Sequence, residues 1–216
     1  MGFSSIERKV VFYFFITIAI MTKVEAVQSS ISLSDEKGGT IPECQISTPD
    51  GGEYSYSRMA ANIIKKDEGT QLPSMTKTWM VSCNVDTRVF LKVNGLQEDR
   101  SIDGITKFSL GRVNGDGVIG YYNLKLARAT IDGVPAMFSQ SGSVNGNVSF
   151  KNVEMKVSSD SFYGLEAGDG KKNSGRTFTI DVTILPFLSG LKETKGPMVD
   201  GAFIDGQSDF VFYFGF

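Results

Sequence analysis

The chain has 216 residues, 22 of them basic and 24 acidic, with a formal net charge of −2 and no histidine. Without histidine there can be no Ser-His-Asp triad, no Cys-His pair and no histidine-ligated metal centre. The slightly acidic balance argues against a surface that tracks phosphate backbones, so nucleic acid is not an expected partner.

Residues 1–26 read as a secretory signal peptide. Arg8 and Lys9 precede the apolar run VVFYFFITIAIM, and TKVEA then places Val24 and Ala26 at the minus-three and minus-one positions of a cleavage site. The run is shorter than the ~20 residues a membrane-spanning helix needs. Cutting after Ala26 would leave Val27–Phe216, with 19 basic and 22 acidic residues and a net charge of −3. No later apolar run is long enough to span a membrane, so the expectation is an exported chain whose mature part carries no span.

Residues 27–37 read as an N-terminal extension. Val27, Ile31 and Leu33 share one parity and are separated by small polar residues, a pattern suited to an extended strand at about 3.3 Å per residue. A frayed tail is the alternative. Gly38 and Gly39 then open the main domain, residues 38–216.

Cys44 and Cys83 are the two cysteines. In an exported protein such a pair reads as one disulfide, which would stabilise the fold by roughly 4 kcal/mol in the chain-entropy model. Free buried thiols are the alternative, and two thiols without histidine fall short of a zinc shell.

From here a period of two dominates. KTWMVSCNV (77–85), RVFLKVN (88–94), GYYNLKLARATI (120–131), NVSFKNVEMKVS (147–158) and RTFTIDVTIL (176–185) all alternate apolar and polar residues between turn-forming Gly, Asn, Asp and Ser. The third slips phase at Ala127, as a β-bulge would cause. The fourth places Val148 and Phe150, and after a slip Val153, Met155 and Val157, on apolar faces. SRMAANIIKK (57–66) is compatible with a helical turn or a strand. The expected fold is a single all-β domain, an antiparallel two-sheet sandwich.

RVNGDGVIGYYN (112–123) imitates a calcium-binding loop, but Arg112 stands at the first ligand position and Asn123 at the twelfth, where a bidentate Glu belongs. Asn-Gly and Asp-Gly there predict a tight turn between strands instead. Asn147-Val-Ser149 matches a glycosylation acceptor and is assigned no function. Carboxylate pairs for glycoside cleavage are recognised by separation in space, which no pattern here indicates. No catalytic, metal or cofactor site is therefore expected.

The C-terminal stretch SDFVFYFGF alternates Phe210, Phe212, Phe214 and Phe216 with Val211, Tyr213 and Gly215. It is either a central core strand or an edge strand built to be paired by another chain.

Taken together, GGTIPEC (38–44), TKTWMVSCNVDTRVFLKV (76–93), FSLGRVNGDGVIGYY (108–122) and IDG (131–133) resemble the pilin-like family called domain of unknown function 1120. The resemblance implies an immunoglobulin-like, pilin-type sandwich lacking its final strand, exported by a Gram-negative bacterium into its periplasm and on to a fimbrium or the cell surface. Its partners would be a periplasmic chaperone, an outer-membrane usher and neighbouring fimbrial subunits. Cys44 and Cys83 would match the family's disulfide, and the aromatics from Phe210 the strand the chaperone grips. Val27, Ile31 and Leu33 would be donor-strand side chains. Tyr213 stands twelve residues after Gly201, the glycine-to-tyrosine spacing of pilins, but three residues then follow it, and Gly215 replaces the usual penultimate tyrosine. Two other readings stand beside this one. One is an adhesin or minor tip component that binds a host glycan or protein through the loop Ser158–Arg176, where Phe162 and Tyr163 could stack on a sugar. The other is a self-complete periplasmic β-domain.

Overall fold

The computed structural model of the full chain describes residues 4–14, 42–56, 63, 65–100, 104–144, 146–168, 172–197 and 204–215. Among these there is no α-helix; a 3₁₀ turn spans Pro49–Gly52. Most of the segment 57–66, read as helix or strand, lies outside the described residues.

The strands follow the alternating runs. β1 is Ser4–Phe14, β2 Cys44–Ser47, β3 Thr70–Gln71 and β4 Met75–Gly95. β5 (Gln97–Arg100), β6 (Thr106–Ser109), β7 (Arg112–Val113) and β8 (Gly117–Val118) are short and lead into β9, Gly120–Ile131. β10 (Val134–Ser141), β11 (Val148–Asn152), β12 (Glu154–Lys156) and β13 (Phe162–Ala167) precede the long β14, Gly175–Leu188, and β15, Ile204–Gly215. All the pairings are antiparallel.

Strand β4 organises the molecule. The two runs 77–85 and 88–94 form one continuous strand of 21 residues. Both put most of their apolar residues at odd positions, and neither Gly nor Pro separates them, so the pleat continues through Asp86 and Thr87. Trp79, Val81, Cys83, Thr87, Val89, Leu91 and Val93 are all buried. The first half of β4 pairs with β14, and its second half pairs with β13 and β15. Because β13 pairs with β10, β10 with β9, and β9 with β14, the strand path returns to β4 and the sheet closes into a barrel. The all-β expectation holds; the path is a closed ring of shared strands, in place of two separate sheets.

At the foreseen slip in β9, the pairing jumps from Thr130↔Thr179 to Ala127↔Asp181, and Arg128 takes φ +46°. The bulge turns Arg128 toward Asp181, a buried carboxylate that Arg128 Nε meets at 2.5 Å and Thr78 Oγ1 at 2.6 Å. The buried charge is thus paired and hydrogen-bonded, as burial requires. The apolar residues of β11 are placed differently from expectation. Val148 and Phe150 on this strand, and Val153 just beyond it, are about half exposed or more (48%, 53% and 59%), whereas Met155 and Val157 are buried. β11 lies against β10 at the margin of the sheet, so its alternation does not find a second layer.

The imitation calcium loop is a hairpin turn, as its Asn-Gly predicts. Arg112 pairs with Val118 across β7 and β8, and Asn114 and Gly115 take φ +50° and +87°. Asn114 Nδ2 donates to Thr194 O at 2.8 Å, and Lys195 holds the Asp116 carboxylate.

Candidate functional site: the two edges of the C-terminal strand

The phenylalanine row packs inward. Phe210, Phe212 and Phe214 are at most 2% exposed, and Trp79 stacks on Phe210 and Phe212 with ring centroids 4.7 and 6.2 Å away. Further along, the Tyr122 hydroxyl and Ser208 Oγ lie 2.6 Å apart in the same interior. On the opposite face, Val211 is buried and Tyr213 is half-buried against Phe162, 5.4 Å away. Alternation therefore gives β15 one face in the barrel core and one on the opposite side of the sheet, where Tyr213 reaches Phe162 of β13 across β4.

Each edge of β15 is paired. On one side, Ser208–Gly215 run antiparallel to Gly95–Arg88 of β4. On the other, β1 runs antiparallel over eleven positions, from Ser4↔Phe214 to Phe14↔Ile204. The seam expected to await a second polypeptide is occupied in the full chain by its own backbone. The segment that fills it is the one read as a signal peptide. Sequence reasoning missed this strand because it scored VVFYFF as apolar length; the same residues are β-branched and aromatic, which also favours a strand.

The disulfide joins Cys44 to Cys83, with their Cα atoms 4.1 Å apart. The two residues face each other in the β2–β4 ladder, so the bond staples the first strand of the main domain to the organising one. Val24, Ala26, Val27, Ile31, Leu33, Gly201 and Phe216 lie outside the described residues.

The Phe–Tyr pair of the 158–176 loop is not an open sugar platform. Tyr163 is 1% exposed and its hydroxyl accepts from the Ser158 N–H at 2.6 Å, while Phe162 is engaged by Tyr213 and by Lys92 Nζ, 5.2 Å from its ring. Nearby, on the outer face, lies a basin of about 310 Å³ lined by residues including Arg88, Phe90, Ser139, Glu166 and Asn173. Gly164 is the floor: a Cβ there would come within 2.9 Å of both the Phe90 ring and Ser139 Oγ. Sequence patterning gave no sign of this basin, whose lining comes from four strands, β4, β10, β11 and β13, and two loops.

Among the described residues no helix is long and apolar enough to cross a membrane, and no group of three or more Cys, Asp or Glu side chains could hold a metal ion. No family model, curated protein or solved structure matches this chain.

Proposed function

We propose that this chain is an exported fimbrial-type structural subunit whose immunoglobulin-like fold is completed by a β-strand from a partner, with a periplasmic chaperone and an outer-membrane usher handling it in transit. Its work is non-covalent assembly without a catalytic step. The observation that carries this reading is the long edge of β15. Eleven residues of that edge are met by residues 4–14, a segment with the residue order of a cleavable signal. Once that segment leaves, a ladder opens beside three core phenylalanines whose burial is worth roughly 5–9 kcal/mol together. Such an edge is a template for strand addition. Deleting Val27–Glu36 should leave chaperone binding intact and stop incorporation into an assembly; unchanged incorporation would remove the donor-strand assignment.

A self-complete β-domain is the second reading. The closed strand path favours it, because the ring β4–β13–β10–β9–β14 does not itself need β1. It predicts a stable monomer when the chain beginning at Val27 is made alone. A glycan- or protein-binding role would be sought at the Arg88–Glu166 basin, and an array of glycans probed with the folded chain tests it.

A further inference from the structure

The outer basin beside Gly164 owes its shape to the way β13 leaves β4. Pairing between these strands runs from Phe162↔Lys92 to Gly164↔Phe90 and ends there, while β13 continues beside β10 as far as Ala167↔Ala136. β4 is by then passing to β14, where Thr87 pairs with Gly175. The strands therefore part at Arg88 and Glu166, which share the outer face with Phe90 and Gly164 by the two-residue alternation of a strand. Gly164 deepens the gap. A Cβ there would come within 2.9 Å of both the Phe90 ring and Ser139 Oγ, so a phenyl edge and a hydroxyl flank one small void.

The charges around this void are unevenly matched. Lys151 Nζ meets the Glu166 carboxylate at 2.5 Å. Among the described residues Arg88 has no carboxylate partner, and its guanidinium lies over the Phe90 ring, 5.5 Å from the centroid. A ring beneath a guanidinium fixes its plane and leaves its N–H fork free to donate. The Ser141 hydroxyl already donates to Ser143 O at 2.7 Å. The Ser139 hydroxyl and the exposed Asn173 amide then remain as neutral polar groups of the lining, with half-exposed Val148 as apolar surface beside Phe90. The volume of about 310 Å³ stands at the small end of ligand pockets.

Together these features select a ligand. An unpaired guanidinium in a recess favours a carboxylate, which it holds through two parallel hydrogen bonds. Because Lys151 already neutralises Glu166, no uncompensated carboxylate is left for a ligand's ammonium group, which disfavours amino acids. A hydroxyl, an amide and a neutralised carboxylate match ring hydroxyls, and Phe90 with Val148 matches the C–H face of a sugar. We propose that the basin binds one acidic sugar unit, a hexuronic acid, with its carboxylate on Arg88 and its hydroxyls on Ser139, Asn173 and Glu166. The inference rests on the glycan-binding role sought at this basin and is independent of strand exchange.

The test titrates the full chain with methyl β-glucuronide and methyl β-glucoside, which differ only in a carboxylate against a hydroxymethyl group, and follows backbone amide shifts by NMR. The glucuronide should shift the amides of Phe90 and Gly164–Glu166 and bind about tenfold more tightly than the glucoside, with the advantage shrinking as salt rises. Arg88→Gln should bring the two glycosides to the same affinity, and Arg88→Lys should keep part of the difference; thermal melts confirm that each variant is folded. Ser139→Ala should weaken both glycosides alike, by about threefold, and serves where the Arg88 variants do not fold. Equal binding of the two glycosides by the parent chain, or an advantage that survives in folded Arg88→Gln, overturns the acidic-sugar assignment and leaves the glycan role standing. Acetate binding as tightly as the glucuronide would reduce the site to a carboxylate hook and overturns the sugar. Shifts centred elsewhere on the surface overturn the basin as the site. No shift with either glycoside overturns the ligand and the glycan role together.

Discussion

At the level of single residues, Asp132 shows how a turn is held by charge. It begins the β9–β10 turn with φ +49°, followed by Gly133 at φ +79°. Its carboxylate takes a hydrogen bond from Lys172 Nζ at 2.5 Å and from the backbone N–H groups of Thr177 and Arg176 at 2.8 and 2.9 Å. The Lys172 contact first, and then these N–H groups, lower its pKa from the ordinary carboxylate range to about 2. A depressed folded pKa gives stability that is fully present above the unfolded value near 4 and is lost as pH falls through 2. Asp132→Asn should therefore cost about 1 kcal/mol at pH 6, a modest figure because the turn is open to solvent. The difference from the parent should shrink below pH 4 and close near pH 2. Urea titrations at pH 6, 4 and 2 read this, and a pH-independent gap would show that geometry, not charge, matters. Gly120 is a different kind of residue: at φ +155°, an added Cβ would lie 2.1 Å from Phe187 O. Gly120→Ala must push backbone from backbone where β9 meets β14, and it should lower the melting temperature by several degrees, about 3 kcal/mol or more.

Among elements, those with one buried face were legible. β4, β9 and β14 alternate without ambiguity, and even the bulge at Arg128 showed as a phase slip at Ala127. What failed was the inference from alternation to burial. β11 alternates as cleanly as its neighbours, yet Val148 and Phe150 are half exposed, because periodicity records which residues share a face and not whether another layer covers it. β1 was illegible for a related reason: an apolar run carries no mark of whether it will leave the chain or pair with it. The assembly of the candidate site from the two chain termini is a long-range pairing, which local pattern does not encode. The cysteines were legible because a count of two, with export as the expectation, left few alternatives. Their bond closes 39 residues of sequence between β2 and β4. Replacing both by Ser should cost about 4 kcal/mol, with a lower denaturation midpoint and a steeper slope, because the uncrosslinked chain expands on unfolding. A loss below 1 kcal/mol would mean that residual structure already restricts the unfolded chain without the bond.

On the scale of the whole molecule, the closed ring and the C-terminal strand are joined at one side chain that reports on both. Trp79 is the chain's single tryptophan; it sits on β4 within the ring, is 1% exposed and stacks on Phe210 and Phe212 of β15. β15 is tied to the ring through eight pairs with β4, and its other edge rests on β1. With both edges paired, undocking β15 exposes three phenylalanines and breaks two ladders, so it should coincide with unfolding of the ring. Tryptophan fluorescence and far-ultraviolet circular dichroism should then trace one transition in urea, the mark of a two-state domain. Removing residues 4–14 takes away one ladder and leaves the ring intact. Fluorescence should then shift to the red at lower urea than the loss of strand signal, because β15 leaves Trp79 before the ring opens. Phe210→Ala, which removes the nearer stacking partner, should destabilise the full chain by about 3–5 kcal/mol and reproduce part of that red shift. If the two transitions still coincide after residues 4–14 are removed, β15 belongs to the ring's cooperative unit and its outer edge needs no second strand.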